Sequence, residues 1–551
     1  MFVVPSVLLL INLYVVYVQA VPTLQRSELF ELSVIHFNDF HARYEQTNDE
    51  GGGCRNTDEC IGGFSRLYNQ IKSMREKNPK SILLNAGDTF QGTLWYTVGK
   101  WNVTQEFMNK LDIDAEVLGN HDFDDGIQGV VPYIKALNYP VVISNIDDSS
   151  EPEIQGTYKK SIIIERNGKK IGIIGVTTVT CKDLSDTGKL AFLPESSSVN
   201  QEAERLVKEE GVFTNIVLSH AGYDVDKIIA RNASEKISLI VGGHSHTFLY
   251  TGDNPPGPAE VQGPYPTIIV PNKLGHEVLV VQASAFCRYL GNITLLLDEN
   301  GEIVDYSGEP IFLGKNLPQD EQINEELLPW KKLVDEKGDG IVGSSLVELS
   351  AVGCYVKECT LGNFIADAYV YAFTNSSTPE SWSEVALAVV NAGGLRSSLG
   401  QGNISYSDLV ISQPFGNTID VGEIEGKYVK EMFEQSIEIN DLIQVSGFKV
   451  TYDLSQSVNN RVSSIQVRCQ NCTIPRYEDI DWNKFYKIAM CSYLRSGGGG
   501  FSMISKHLKK IRVGSLDLDI FMDYLAHRSP VFEEEEGRIV MHGAKNTVTH
   551  Q

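Results

Sequence analysis

Residues 117–126 read VLGNHDFDDG. Val117 and Leu118 continue an apolar run that starts at Ala115, and Asn120, His121, Asp122 and Asp124 follow at once. A chain that drives aliphatic side chains into a core and then presents an amide, an imidazole and carboxylates is delivering polar groups from the end of a buried strand. The functional content of the stretch depends on whether the pattern recurs.

It recurs four more times. SVIHF runs into Asn38-Asp39-Phe40-His41, SILLNAG into Asp88, TNIVLS into His220, and SLIVGG into His244-Ser245-His246. From residue 33 to about 290 such short Val/Ile-rich runs, with PVVIS, KIGIIGV and TIIV among them, alternate with polar segments that suit helices. Runs of this kind predict strands buried on both faces, and their alternation predicts a layered α/β domain. Loops at the carboxyl ends of strands in such sheets converge on one crevice. Asp39, His41, Asp88, Asn120, His220, His244 and His246 are therefore expected to meet there.

A lone Asp-x-His is usually a turn, and a lone strand-end Asp a cap. Five such events, each closing an apolar strand, argue instead for metal. Seven oxygen and nitrogen ligands exceed the needs of one ion, and imidazole with carboxylate suits zinc, manganese or iron. Two ions sharing a bridging carboxylate, roughly 3.5–4 Å apart, form a clamp for displacement at phosphorus.

The blocks NDFHAR, NAGDTFQGT, GNHDFDDG, LSHAGYD and GGHSH resemble those of the calcineurin-like metallophosphoesterases, and the chain from about 30 to 540 resembles the secreted 5′-nucleotidase/apyrase family. The resemblance implies that Asp39, His41 and His246 hold one ion, that Asn120, His220 and His244 hold another, and that Asp88 bridges them. It implies two divalent ions, among Zn, Ca, Mg and Mn. His121 would sit over the phosphate and stabilise transition-state charge, with Asp124 orienting it. Asp122 and Asp125 read as solvated or capping residues.

A charged, helix-like segment at 317–338, with apolar spacing at Ile323, Leu327 and Leu328, is expected to link the first domain (28–316) to a second α/β domain (339–545). In the second domain VVNAGGLRSS resembles the family's substrate loop, so Asn391 and Arg396 would contact a nucleotide and Gly393 and Gly394 would let backbone approach it. Arg43, just after His41, is expected to join Arg396. QPFGNT and CSYLRSGGGGF resemble the segments whose rings sandwich the base, at Phe415 and Tyr493. Two positions depart from the family pattern. Tyr355 stands after Cys354 where nucleotidases usually have Arg, and Gly499 stands where an Asp usually holds ribose hydroxyls. Choice among ATP, ADP and AMP is therefore open.

The net charge of −24 over 551 residues argues against non-specific binding to nucleic acid or to an anionic membrane. Residues 1–20, MFVVPSVLLLINLYVVYVQA, read as a signal peptide cleaved near Val21, with an uncleaved anchor as the rival. The polar C-terminus, VFEEEEGRIVMHGAKNTVTHQ, argues against a lipid anchor. Secretion agrees with Asn-x-Ser/Thr acceptors at Asn102, Asn232, Asn292, Asn375 and Asn403, and at Asn471. It also agrees with three close cysteine pairs, which read as local disulfides: Cys54 with Cys60, Cys354 with Cys359, and Cys469 with Cys472. A bridge between Cys469 and Cys472 makes Asn471 a poor glycan acceptor. Cys181, Cys287 and Cys491 are left over.

The expectation is a secreted, metal-dependent nucleotide phosphohydrolase acting on ATP and ADP. It is most like the soluble salivary apyrases of blood-feeding arthropods, in which ADP removal blocks platelet activation. An AMP-cleaving 5′-nucleotidase is one alternative. A second is an integrin antagonist presenting Lys337-Gly338-Asp339, although the tripeptide also reads as a helix end. A phosphoesterase for cyclic or sugar nucleotides is a third, disfavoured by the base-stacking pair.

Overall fold

The computed structural model of the chain describes residues 29–49, 51–54, 59–271, 276–374, 381–512 and 514–543. The expected signal segment and Asn375 lie outside these residues.

The N-terminal half is a sandwich of two mixed six-stranded sheets. In the first, Phe30–Phe37 lies parallel to Ile82–Asn85, which is parallel to Ala115–Glu116. Its other edge pairs antiparallel with Tyr289–Leu297. In the second, Lys169–Thr177, Thr214–His220, Ile237–Val241 and Val278–Val281 run parallel, with antiparallel strands at both margins. Every residue of Ile82–Asn85, Thr214–His220 and Ile237–Val241 is buried, as expected of parallel strands covered on both faces.

PVVIS does not form a strand of either sheet. Val141 pairs with Glu116 of the first sheet, and Val142 with Lys159. Each is an isolated bridge, and Pro140 has no N–H to extend a ladder.

The helix Glu321–Gly338 starts at Asp320, whose carboxylate caps the Ile323 N–H at 3.1 Å. It packs on the N-terminal core through Ile323, Leu327 and Val334. Leu328, expected inside, is 59 % exposed, and Val334 takes that place. Trp330 donates from Nε1 to Glu106 at 3.0 Å, and Lys331 reaches Glu45 at 2.7 Å, so charge pairs and an indole fasten the rest of the helix. Gly338 is in the last turn, buried against Leu94 and Ser407, with Lys337 and Asp339 exposed beside it.

Beyond it, a five-stranded sheet is ordered Ile443–Ser446, Leu387–Asn391, Phe485–Cys491, Ile419–Glu425, Lys509–Arg512. The helices Thr360–Tyr371 and Gly426–Glu438 belong to this half, which has its own core.

The cysteines pair by proximity in sequence. Cys54 is bridged to Cys60, Cys354 to Cys359, and Cys469 to Cys472. None of these six is a candidate ligand of the site: each serves to close a short loop. Cys60 lies beside Ile61, whose N–H and carbonyl both pair with Thr47 at the base of the loop that Cys54 and Cys60 close. Cys359 caps the helix Thr360–Tyr371, its sulfur accepting the Gly362 N–H at 3.3 Å. Cys472 closes a turn of four residues against the end of the strand Val462–Arg468. Cys181, Cys287 and Cys491 are buried thiols. Among the described residues no helix is long and apolar enough to cross a membrane.

Candidate metal centre and nucleotide cleft

The strand-end residues meet. Asp39, His41 and His246 each offer a ligand atom within 4.8 Å of the others, and so do Asp88, His220 and His244. His41 Nε2 and His246 Nε2 face each other at 3.2 Å, and His246 Nε2 lies 3.2 Å from Asp39 Oδ1. The Asp88 carboxylate stands between the clusters: its Oδ2 is 3.1 Å from His220 Nε2 and 3.7 Å from His41 Nε2.

The backbone at these residues is unusual. Asp39 (φ 50), His41 (φ 49), Asp88 (φ 54), His244 (φ 74) and His246 (φ 52) all sit in the left-handed region, which non-glycine residues seldom adopt. Such conformations cost about 1–3 kcal/mol each and persist only where the surroundings over-determine them. Here they do. Asp39 N donates to Gly87 O at 2.9 Å, His41 N to Asp88 O at 3.0 Å, and His244 N to Asp39 Oδ2 at 3.0 Å.

Second contacts set which imidazole nitrogen faces inward. His220 Nδ1 lies 2.6 Å from Ala86 O, and His41 Nδ1 3.2 Å from Phe90 O, which leaves both Nε2 atoms for a ligand. Asn120 Oδ1 is buried without a hydrogen-bond partner among the described residues, an acceptor in want of a cation. Gly119 is required by crowding, since a Cβ there would lie 2.1 Å from Asp88 Oδ1 and 2.6 Å from His220 Nε2. A mixed imidazole, carboxylate and amide donor set with an orphaned acceptor fits divalent ions.

Charge follows the same plan. Burial first of all holds His41, His244 and His246 below the ordinary imidazole range, the neutral state a ligand needs. For His220 burial acts downward but the Asp88 carboxylate wins, and the ring is pushed up to about 10. Without a cation, a proton on His220 is the counter-charge of Asp88. His121 is also raised: burial opposes its charge, and Asp124 and Asp88 outweigh it. Its Nδ1 lies 2.9 Å from Asp124 Oδ2, which turns Nε2 away from that carboxylate.

Several supporting residues escape a sequence reading. Asp122 is fully buried, not solvated, and accepts the backbone N–H groups of Asp88, Thr89, Phe90 and Gly119 at 2.8–3.0 Å, which shapes both loops. Asn38 donates to Asp39 Oδ2 at 2.6 Å. Ser185 donates to Asp124 Oδ1 at 2.8 Å. Phe286 packs on His41 and His246 with ring centroids 5.6 and 5.1 Å apart. Only Asn38 and Asp122, lying inside the conspicuous blocks, leave any sequence signal.

The 391–396 loop arrives from the other domain. Arg396 Nη2 is 3.5 Å from His41 Nε2, and the Phe415 ring stacks on His121 at 5.3 Å. Arg396 also lies over Phe415 at 5.6 Å. Asn391 and Gly393 are tied to Asp441, and Gly394 O accepts from Gln413 at 2.7 Å. Tyr493 is in the turn Ser492–Arg495, its backbone N–H held by Asn417 at 3.1 Å.

Arg43 is enclosed beside the metal cluster, close enough to Arg396 for the two charges to repel. It is 1 % exposed, donates to the carbonyls of Gly51, His41 and Gly92, and stacks on Phe286 at 4.3 Å. Its Nε and Nη1 brace the loop that carries His41, while Nη2 is buried without a hydrogen-bond partner among the described residues.

Fold and site define a two-domain metallophosphoesterase. Residues 32–248 match the family model for calcineurin-like phosphoesterases, and 341–506 that for the 5′-nucleotidase C-terminal domain. The chain is 46 % identical to an apyrase of Tabanus yao, covering 93 % of each chain. It is 41 % identical to a 5′-nucleotidase-related protein of Glossina morsitans morsitans, over 93 % of this chain and 95 % of that one. A solved 5′-nucleotidase precursor from Thermus thermophilus superposes with a TM-score of 0.85 at 30 % identity, over 94 % of this chain and all of that one. The chain belongs to the 5′-nucleotidase/apyrase family. It is a metal-dependent nucleotide phosphohydrolase that uses two divalent ions.

Proposed function

We propose that the protein is secreted and removes terminal phosphates from extracellular ATP and ADP, thereby inhibiting platelet aggregation in the manner of a salivary apyrase. The observation that carries the hydrolytic part is the position of Asp88, one carboxylate within 3.7 Å of an imidazole from each cluster. Asp39, His41 and His246 would hold one ion, Asn120, His220 and His244 the other, and Asp88 both. The ions supply an acidified water and neutralise phosphoryl charge. His121 carries its proton at Nε2 toward the transferring group, and Asp124 holds the imidazole in that state. Arg396 adds a guanidinium for phosphate oxygens, while Phe415 and Tyr493 offer ring faces to the base.

The preference for ATP and ADP is supported by similarity to a protein named apyrase. Secretion is supported by the apolar N-terminus and the three disulfides. Asn102, Asn232 and Asn403 are exposed and suit glycans, whereas Asn292 is half-buried in the middle of a strand. Integrin binding is not part of this reading, because Gly338 is packed into a helical turn.

The test is phosphate release from ATP, ADP and AMP in parallel, after chelation and after return of Ca²⁺, Mg²⁺, Mn²⁺ or Zn²⁺. Chelator-sensitive release is expected, strongest on ATP and ADP. Release from AMP alone overturns the apyrase reading.

A further inference from the structure

We infer that the Asp441 carboxylate receives the hydroxyl pair of the nucleotide's sugar and makes the enzyme selective for ribonucleotides. This rests on the reading that the 391–396 loop and Tyr493 face the nucleoside.

Asp441 follows the helix Gly426–Glu438 and the left-handed residue Asn440 (φ 54). One carboxylate oxygen, Oδ1, accepts the Gly393 N–H at 2.8 Å. The other, Oδ2, is 3.5 Å from Asn391 Nδ2, the outer limit of a hydrogen bond, so it keeps acceptor capacity. Burial pushes the carboxyl up from its ordinary range, as expected where neutral N–H donors are the main compensation. A further donor from a ligand would relieve that cost.

Position and chemistry agree. A Cβ built on Gly499 would lie 3.6 Å from Asp441 Oδ2 and 3.2 Å from Tyr493 Oη. The carboxylate, the tyrosine hydroxyl and the glycine backbone therefore border one space. An Asp at 499 would bring a second carboxylate into that space, where two like charges disfavour one another. Glycine at 499 leaves the space to Asp441. A hydroxyl donating to a carboxylate makes a short, charge-assisted bond, and a vicinal diol offers two donors to it. Ring stacking on Tyr493 tolerates any base, so selection falls to the sugar.

The experiment uses the metal-loaded full chain and the nucleotide it cleaves fastest among ATP, ADP and AMP. That nucleotide is supplied in ribo, 2′-deoxy and 2′,3′-dideoxy forms. The parent is expected to prefer ribo over dideoxy by at least about tenfold in kcat/KM, chiefly through KM. In Asp441→Ala the preference should fall to within about twofold. Adding Gly499→Asp to Asp441→Ala should restore it. Asp441→Asn, which keeps an acceptor for the Gly393 turn but loses the charge, should lower the preference about threefold or more, so a poorly folded alanine variant still leaves a decisive arm.

A parent that treats ribo and dideoxy forms alike overturns the inference, and so does a preference that survives both single variants. If Asp441 merely holds the turn, its loss raises KM for all three sugars equally and the ratio stays put. Cleavage of AMP alone would remove the apyrase reading without touching this comparison.

Discussion

The metal cluster and the nucleotide cleft, on facing domains, are built by opposite means. The cluster hangs on buried parallel strands whose ends turn through strained backbone, and Asp122 alone takes four backbone N–H groups to keep two of its loops in place. The cleft is made of turns and a glycine run, joined by side-chain bridges such as Asn417 Oδ1, which accepts from the Ser492 hydroxyl and the Tyr493 N–H. A rigid scaffold suits groups that must hold ions to a fraction of an ångström. Looser turns suit a pocket that admits a substrate and changes between relatives. Changes on the metal side should therefore affect turnover of every phosphate ester, and changes on the cleft side should affect KM for nucleotides.

The harshest way to break that division is Asp88→Ala, which removes the carboxylate shared by both clusters. Elemental analysis should show loss of bound metal, and activity on nucleotides and aryl phosphates alike should fall below detection; retained stoichiometric metal would contradict the bridging role. Next, His121→Ala should lower kcat by about 10²–10⁴ on both substrate classes while metal content stays near normal. Loss of metal there would make His121 a ligand instead.

Phe415→Ala tests the cleft. Loss of one stacking face, about 1–3 kcal/mol, should raise KM for nucleotides roughly 5- to 150-fold and leave aryl phosphate turnover alone. An equal fall on aryl phosphate would mean that the ring matters through His121, on which it stacks at 5.3 Å. The smallest effect is expected from Ser185→Ala. The hydroxyl holds the Asp124 oxygen remote from His121, and its loss, about 1 kcal/mol, should lower kcat about fivefold with KM unchanged.

The two sides also differ in how far they can be read from the chain. Asp39, His41, Asp88, Asn120, His220, His244 and His246 stand out because each follows an apolar run, and parallel strands have to deliver their ends to one side of each sheet; that the two sheets bring those ends together is a tertiary result. The pairs Cys54 with Cys60, Cys354 with Cys359 and Cys469 with Cys472 are legible because three to six residues of separation leave each sulfur one near neighbour. Leu328 is misplaced by its sequence because apolar spacing along a helix does not say how wide its buried stripe is. Asp122 is misread because one carboxylate in a polar cluster looks like any other until the backbone folds around it. Arg43 is expected beside Arg396 from its place after His41, but nothing local announces that Gly51, Gly92 and Phe286 will enclose it.

The resemblance of whole blocks marks a metallophosphoesterase and the rings and arginine of a second domain, whereas alternation of buried strands with polar ends is enough to determine an α/β half and the delivery of its strand-end groups to one side of each sheet. Those are local properties of period and residue type. Tertiary structure alone decides that Phe415 lies on His121, that Arg396 reaches His41, and that Asp441 faces Gly499. Each joins segments far apart in the chain, and such contacts follow from how elements pack, which no short stretch of residues encodes.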